Sequence, residues 1–181
     1  MDTTREKAWR ILTDHVKEIS LLHHCQAVEI AMRAYAEKFG EDVEYWGAVG
    51  LLHDVDFEKY PEEHTKQTGN LLTPHGYTEQ FVVDIQSHAR DWGPERSRLQ
   101  QTLLALDELT GFIIACSLVR PDKDLKNVQV KSVMKKMKDK AFARAINRET
   151  IIQGAVMLGI DLQEHIEFVT KALAKDYPQN Q

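Results

Sequence analysis

The chain has 181 residues, of which 43% are hydrophobic and 28% charged, and its formal net charge is −5 at pH 7. This balance is typical of a soluble folded domain and excludes a disordered chain. Because the net charge is negative, the overall composition does not favour binding to nucleic acid or to an anionic membrane.

Two further features concern cellular location. The N-terminal segment MDTTREKAWR has no apolar signal-peptide core, and the least polar run, Leu109–Val119, is well short of the roughly 20 residues that a membrane span needs. Cys25 and Cys116 lie within apolar helical patterns, so we expect both to be reduced. These features predict a cytoplasmic protein without membrane contact.

Helical periodicity runs through nearly the whole chain, and no segment shows the period of two that predicts a strand. Ser20, Thr78, Ser97 and Asp161 are predicted N-caps, because each side-chain oxygen can accept a hydrogen bond from a free backbone N–H. The pattern predicts one all-α domain, a helical bundle over residues 1–181. The predicted helices lie near residues 3–18, 20–39, 43–55, 62–73, 78–90, 97–119, 130–137, 139–158 and 161–176.

Four of the eight histidines are expected to face the interior. His24, His53 and His88 follow apolar residues at helical spacing, and His64 does so more weakly. We expect His23 to face solvent, and we assign no role to the histidines among charged neighbours or in a turn, which are His15, His75 and His165.

Two carboxylates are also placed in apolar surroundings. Asp54 ends the apolar segment GAVGLLHD, and Asp107 lies in LLALDELTGFIIA, where periodicity alone does not separate it from Glu108. Burying an unpaired carboxylate costs several kcal/mol or more. A divalent cation such as zinc, iron, manganese or magnesium would supply the missing positive charge, and imidazole with carboxylate suits such an ion.

The segments LLHHCQAVEIAMRAYA, GLLHDVDF and ALDELTGFI resemble the H…HD…D pattern of the HD superfamily of metal-dependent phosphohydrolases, which are all-helical. The resemblance implies that His24, His53, Asp54 and Asp107 bind a metal ion, and it selects Asp107 over Glu108. It covers roughly residues 20–119, which would form the metal-site core. A branch of small predicted hydrolases also resembles VKSVMKKMKDKAFARAINRE, in the basic helical part of the chain at about 123–177.

Some members of this superfamily hold two metal ions through two further histidines. His64 and His88 lie in the corresponding interval, where they would bind a second ion or contact a substrate phosphate. One subgroup has glycine two residues after the aspartate of the doublet, whereas this chain has Asp56. We therefore do not expect this chain to have the signalling-nucleotide activities of that subgroup.

The resemblance implies hydrolysis of a small phosphorylated molecule, such as a nucleotide, by metal-activated water. Phosphate groups need cations, and the segment from Lys123 to Arg148 carries nine Lys and Arg residues against two Asp and no Glu. We expect Lys131 and Lys135, together with Arg90, to contact the substrate, with a solvated basic helix as the alternative. Nucleic-acid binding is not expected, because the segment lacks interleaved aromatic residues.

Two other functions are compatible with the sequence. One is a two-iron oxygenase, in which His64 and His88 would complete the site, and the other is a regulatory protein that binds metal or nucleotide without turnover. No general base is predicted, because Asp56, Glu58 and Glu63 after the doublet are expected to be solvated surface carboxylates.

Overall fold

The two longest helices form the centre of the fold in a computed structural model that describes residues 1–89 and 93–178. Within these ranges the chain forms α-helices, short 3₁₀ helices and no β-strand, which confirms the predicted all-α fold class. The α-helices are α1 Arg5–His15, α2 Ile19–Phe39, α3 Val43–Leu52, α4 Thr68–Leu72, α5 Glu79–Gln86, α6 Arg98–Leu118, α7 Val130–Met137, α8 Arg148–Met157 and α9 Leu162–Asp176. The 3₁₀ helices are Pro61–Glu63, Thr73–His75 and Leu125–Asn127.

Helix α2 contacts α3, α6 and α9, and its apolar face is buried in the core, from Leu21 through Cys25, Val28 and Met32 to Tyr35. The close contact with α3 depends on Gly50, where a Cβ atom would lie 2.9 Å from Met32 Cγ and 3.1 Å from the Val28 carbonyl oxygen. This approach brings the end of α3, and His53 that follows it, next to the middle of α2.

Helix α6 crosses the core and carries Asp107. It begins with a capping box between Ser97 and Gln100, and Leu103, Leu106 and Phe112 are fully buried. By length and composition alone this helix could span a membrane, but 56% of its most apolar 18-residue stretch is buried inside the fold. Such burial is typical of a helix in a protein core.

Three of the four predicted N-caps are confirmed, because the side chains of Thr78, Ser97 and Asp161 each accept a backbone N–H. The prediction for Ser20 is wrong. Helix α2 begins one residue earlier, and the carboxylate of Glu58 accepts the backbone N–H groups of Lys17 and Glu18 at 2.8 and 2.9 Å. A residue 40 positions away thus caps the helix, and periodicity cannot identify such a partner.

Two predicted helices are wrong in extent. The segment 62–73 is interrupted after Glu63, where His64 is extended and Thr65 takes a left-handed conformation with φ of 68°. The segment 139–158 becomes helical only at Arg148, after a turn that folds around this residue's side chain. Both interruptions occur next to the cavity that contains the predicted metal ligands.

Candidate metal centre

Six predicted ligands from five parts of the chain meet in the centre of the molecule. His24 lies in the first half of α2, His53 and Asp54 follow α3, and Asp107 lies in the middle of α6. His64 stands at the interruption before α4, and His88 follows the end of α5. The fold therefore brings together all six residues that the sequence analysis selected as metal ligands.

The first group of donor atoms comes from His24, His53 and Asp107. Nε2 of His24 lies 3.1 Å from Nε2 of His53 and 3.0 Å from Oδ1 of Asp107. Nε2 of His53 lies 3.6 Å from the same aspartate oxygen. These three donors are positioned so that they could hold one metal ion.

The second group comes from Asp54, His64 and His88. The two imidazole Nε2 atoms are 2.9 Å apart, and they lie 3.3 and 3.6 Å from Oδ1 of Asp54. This group is also positioned to hold an ion.

The carboxylate of Asp54 lies between the two groups. Its Oδ1 faces His64 and His88, whereas its Oδ2 lies 3.7 Å from Nε2 of His24 and 3.5 Å from Nε2 of His53. One carboxylate with its two oxygens directed to separate donor groups has the arrangement of a bridging ligand.

Hydrogen bonds at Nδ1 of the imidazole rings determine which ring nitrogen is unprotonated and directs its lone pair to the donor groups. Nδ1 of His53 lies 2.8 Å from the Gly50 carbonyl oxygen, and Nδ1 of His88 lies 2.5 Å from that of Ile85. Both acceptors require a proton on Nδ1, so a neutral ring presents an unprotonated Nε2 to the donor groups.

His64 is oriented in the same way by a carboxylate. Its Nδ1 lies 2.8 Å from Oδ1 of Asp56, which is fully buried and whose Oδ2 accepts the hydroxyl of Thr68 at 3.0 Å. Two lone pairs, on Nε2 of His64 and of His88, therefore face each other at 2.9 Å when both rings are neutral. Such a contact is repulsive unless a cation lies beside it, either a proton or a metal ion.

The donor set fits a first-row divalent ion. Donor atoms about 2.1 Å from an ion are about 3.0 Å apart at right angles and about 3.4 Å apart in a tetrahedron. The separations within the two groups range from 2.9 to 3.6 Å. The donors are imidazole nitrogen and carboxylate oxygen, a combination that suits zinc, iron or manganese.

Electrostatics keep both aspartates anionic. Burial would raise the pKa of Asp107, but hydrogen bonds with His24 and His53 hold it well below its usual value. The pKa of Asp54 is also lowered, since burial is outweighed by the neighbouring His53 and His88. Conversely, burial would lower the pKa of His53, and the charges of Asp54 and Asp107 raise it overall. The site therefore holds one buried carboxylate, Asp54, and one half-buried carboxylate, Asp107, whose charge must be balanced.

Cys25, next to His24, does not add a thiolate. Burial first, and then the charges of Asp54 and Asp107, raise the pKa of this thiol well above its usual value. Both cysteines are free and buried, as predicted for reduced core residues.

A cavity of about 440 Å³ opens beside the two donor groups. Its wall includes Phe57, whose ring meets that of His64 edge-on at 5.1 Å, and Ile146 from the turn before α8. Among the described residues that line it there is no lysine or arginine.

The predicted substrate cations are not brought to this cavity within the described residues. Lys131 and Lys135 are exposed on α7, and Lys135 lines a different cavity together with Cys116 and Arg120. Arg90 lies outside the described residues. The proposed contacts of these three side chains with substrate stay predictions.

One expectation about an individual residue is wrong, and one histidine to which we assigned no role belongs to the core. Asp56 is a buried partner of His64 instead of a solvated surface carboxylate. His165 is fully buried, where Tyr35 donates to its Nδ1 at 2.6 Å and its Nε2 donates to the Ala105 carbonyl oxygen at 3.2 Å. The sequence held a signal for His165, because it follows Leu162 by three residues and precedes Val169 by four on the buried face of α9. No periodic signal marks Asp56, which lies outside a helix.

Comparisons with known proteins do not assign a family. No family model matches the chain, and no solved structure matches it. The chain is similar to 3-ketoacyl-CoA thiolases from Acinetobacter baumannii (strain AYE) and Acinetobacter baylyi (strain ATCC 33305 / BD413 / ADP1), with 26% identity over 121 residues in each case. The match covers 55% of this chain and 31% of the thiolases, so the chain spans about a third of their length.

Proposed function

We propose that this protein is a metal-dependent phosphohydrolase, of the HD superfamily that its sequence resembles, acting on a small phosphorylated molecule. The observation that carries the proposal is the position of Asp54, whose two oxygens face separate groups of imidazole donors. His24, His53 and Asp107 would hold one divalent ion, His64 and His88 would hold another, and Asp54 would bridge the two.

A pair of divalent ions supplies a water of lowered pKa and an electrophile for a phosphoryl oxygen. The residues around them fix the geometry that this chemistry needs. The Gly50 and Ile85 carbonyls and the Asp56 carboxylate hold the three imidazoles by their Nδ1 atoms, so each Nε2 stays directed at the donor groups.

The charge of the cavity agrees with a metal requirement. Its described lining includes the carboxylates of Asp54 and Asp107 and no lysine or arginine. In the metal-free protein this lining therefore offers a phosphate ester carboxylates and no cation other than a protonated imidazole. Bound cations would reverse this charge, so binding of substrate as well as its hydrolysis should depend on metal.

Elemental analysis combined with phosphate release tests the proposal. We expect purified protein, after incubation with manganese, zinc or iron, to retain up to two ions per chain. Wild type should release phosphate from at least one member of a panel of nucleotides and phosphate monoesters. The variant His53→Ala should lose metal and activity, whereas His75→Ala, at an exposed histidine, should keep both.

The same measurements separate the other candidate functions. Two irons per chain with oxygen consumption and no phosphate release would favour the two-iron oxygenase. Stoichiometric metal without turnover on any substrate would favour a regulatory protein. Absence of stoichiometric metal in wild type would contradict all metal-dependent functions.

A further inference from the structure

A cavity beside α7 lies apart from the metal centre. It has a volume of about 310 Å³ and is formed by the last part of α6, the residues that follow it, and α7 with its two flanking segments. None of its described lining residues also lines the cavity beside the donor groups. We call it the α7 cavity.

Part of the wall of the α7 cavity is apolar. It consists of the side chains of Val119 and Val128 and the thiol of Cys116. Burial raises the pKa of this thiol to about 11 in spite of the nearby cations Lys136 and Arg148, so the thiol is uncharged at neutral pH. Val119 is 59% exposed, and this apolar surface is therefore open to the hydrocarbon part of a ligand.

The remaining wall carries positive charge. Among the described lining residues, Arg120, Lys135 and Lys136 are cations, and Asp139 is the one carboxylate. Helix α7 adds the positive end of its dipole, because lining residues stand on both sides of its first residue, Val130. The N-cap residue of this helix makes no side-chain hydrogen bond to the free backbone N–H groups. The wall therefore attracts an anion.

The three cations differ in how far their charge is already balanced. The guanidinium of Arg120 donates two hydrogen bonds of 2.9 Å to the carboxylate of Asp122. The ammonium of Lys136 lies 3.9 Å from the carboxylate of Asp139. Lys135 has no ion-pair partner among the described residues. One positive charge in the cavity is thus left for a ligand to balance.

We propose that the α7 cavity binds a small monocarboxylate with an apolar body of one ring or a short alkyl chain. The carboxylate would lie at Lys135, and the apolar body would lie against Val119 and Val128. A single negative charge matches the one lysine without a partner, and the volume is near the lower end of about 300–1,000 Å³ for ligand pockets. The site is independent of the proposed function, because it shares no described residue with the cavity at the metal centre.

Titration with benzoate tests this site, and benzamide is the control because it has nearly the same shape without the charge. Followed by ligand-observed NMR, benzoate should bind with a dissociation constant below about 5 mM, and benzamide should bind at least fivefold more weakly. In protein with ¹³C-labelled valine methyl groups, benzoate should shift the signals of Val119 and Val128. The signals of Val156, which is exposed on α8, should not move.

Two pairs of variants at exposed positions locate the binding. Val119→Glu places a carboxylate in the cavity and should weaken benzoate binding at least tenfold. Leu118→Glu, at a neighbouring position that is equally exposed but does not line the α7 cavity, should change binding less than twofold. Lys135→Gln should weaken binding threefold or more, and Lys138→Gln, at an exposed lysine outside the cavity wall, should leave it unchanged.

Three results would overturn the proposal. The first is no binding of benzoate, or equal binding of benzoate and benzamide. The second is unchanged benzoate binding in both Val119→Glu and Lys135→Gln. The third is binding of phenyl phosphate, followed by the same two valine signals, that is more than tenfold tighter than that of benzoate, because the site would then take a doubly charged ligand.

Discussion

Asp56 determines how His64 faces the donor groups. Its Oδ1 lies 2.8 Å from Nδ1 of His64, and the hydroxyl of Thr68 holds the other oxygen in place. A carboxylate in this position fixes the imidazole tautomer and makes Nε2 a stronger ligand. The affinity of the second donor group for metal should thus depend on a residue that does not itself reach the ion.

The variant Asp56→Asn should lower the affinity of one of two metal ions by about 10- to 100-fold, since loss of such an outer partner usually has this effect. Competition with a chromophoric chelator would measure both affinities. Glu62→Gln, at an exposed carboxylate six residues along the chain, is the matched control and should bind as wild type. Equal affinities in all three proteins would show that Asp56 has no role in metal binding.

His165 makes stability depend on pH at a site distinct from the donor groups. Burial lowers its pKa to about 4, below the usual value of 6.5. Because the unfolded chain then binds a proton more readily than the folded protein, stability falls as pH decreases from about 6.5 towards about 4. This linkage corresponds to a loss of about 2 kcal/mol between pH 7 and pH 5.

Replacement by glutamine tests this pH dependence. His165→Gln should lower the free energy of unfolding at pH 7 but lose about 2 kcal/mol less than wild type between pH 7 and pH 5. Urea denaturation at the two pH values measures the difference, and His75→Gln, at an exposed histidine, should follow wild type. An identical loss in His165→Gln and wild type would contradict the assignment.

At the scale of secondary-structure elements, the side chain of Arg148 holds together the turn between α7 and α8. The guanidinium of Arg148 donates to the carbonyl oxygens of Ala143 and Ile146 at 2.7 Å each, and also to those of Asp139 and Phe142. The group lies over the ring of Phe112 in α6, 5.0 Å from its centroid. Since Ile146 forms part of the cavity wall, this arrangement connects the turn to the shape of the candidate site.

We expect Arg148→Lys to lower the free energy of unfolding by about 2 kcal/mol, because an ammonium group cannot reach four carbonyls that lie on different sides of it. Hydrogen exchange in residues 139–147 should increase as well. Arg144→Lys, at an exposed position of the same turn, is the control. If both variants unfold at the same urea concentration as wild type, the turn does not depend on Arg148.

The contact between α2 and α3 depends on the absence of a side chain at Gly50. An added Cβ would press on Met32 Cγ at 2.9 Å and on backbone atoms of Glu29 and Val28 at 3.1 Å. Gly50→Ala should therefore cost about 1–3 kcal/mol and weaken metal binding, since the Gly50 carbonyl also orients His53.

Gly69→Ala is the matched control in α4, where the new Cβ would make an ordinary contact of 3.5 Å with Val82 Cγ1. It should be neutral or stabilise by up to about 1 kcal/mol. Thermal unfolding and metal titration of both variants measure the two effects. Unchanged stability in Gly50→Ala would mean that the helices can separate without cost.

At the scale of the whole molecule, metal binding and folding should be linked. The six candidate ligands come from parts of the chain that meet only in the folded state, so the unfolded chain has no preformed site. An ion at 100 times its dissociation constant stabilises the folded protein by about 2.7 kcal/mol. For a chain of this length this corresponds to a melting temperature about 5–10 °C higher.

Thermal unfolding with manganese and with a chelator measures this shift. The double variant Asp54→Asn, His64→Ala removes the bridging carboxylate and one imidazole, and it should show a smaller shift on addition of manganese, because only the group of His24, His53 and Asp107 stays complete. A shift equal to that of wild type in this variant would show that neither Asp54 nor His64 contributes to metal binding.

The sequence alone determined the fold class and the six residues that meet in the centre. These are local properties. A side chain at helical spacing from apolar neighbours lies on the apolar face of its helix, and this face packs against the core. His24 and His88 were identified in this way, and the likeness to a known ligand pattern selected Asp107 over Glu108.

Only the tertiary structure decided which of these residues form which group and what orients them. Three contacts join segments that are distant in sequence or lie outside helices. The two oxygens of Asp54 face separate donor groups, Asp56 pairs with His64, and Glu58 caps α2. The cavity of about 270 Å³ beside His24 is likewise lined by residues of α2 and α6, by Lys123 and Leu125, and by residues after α9. Contacts of this kind depend on how the helices pack, and no periodic pattern along the chain records them.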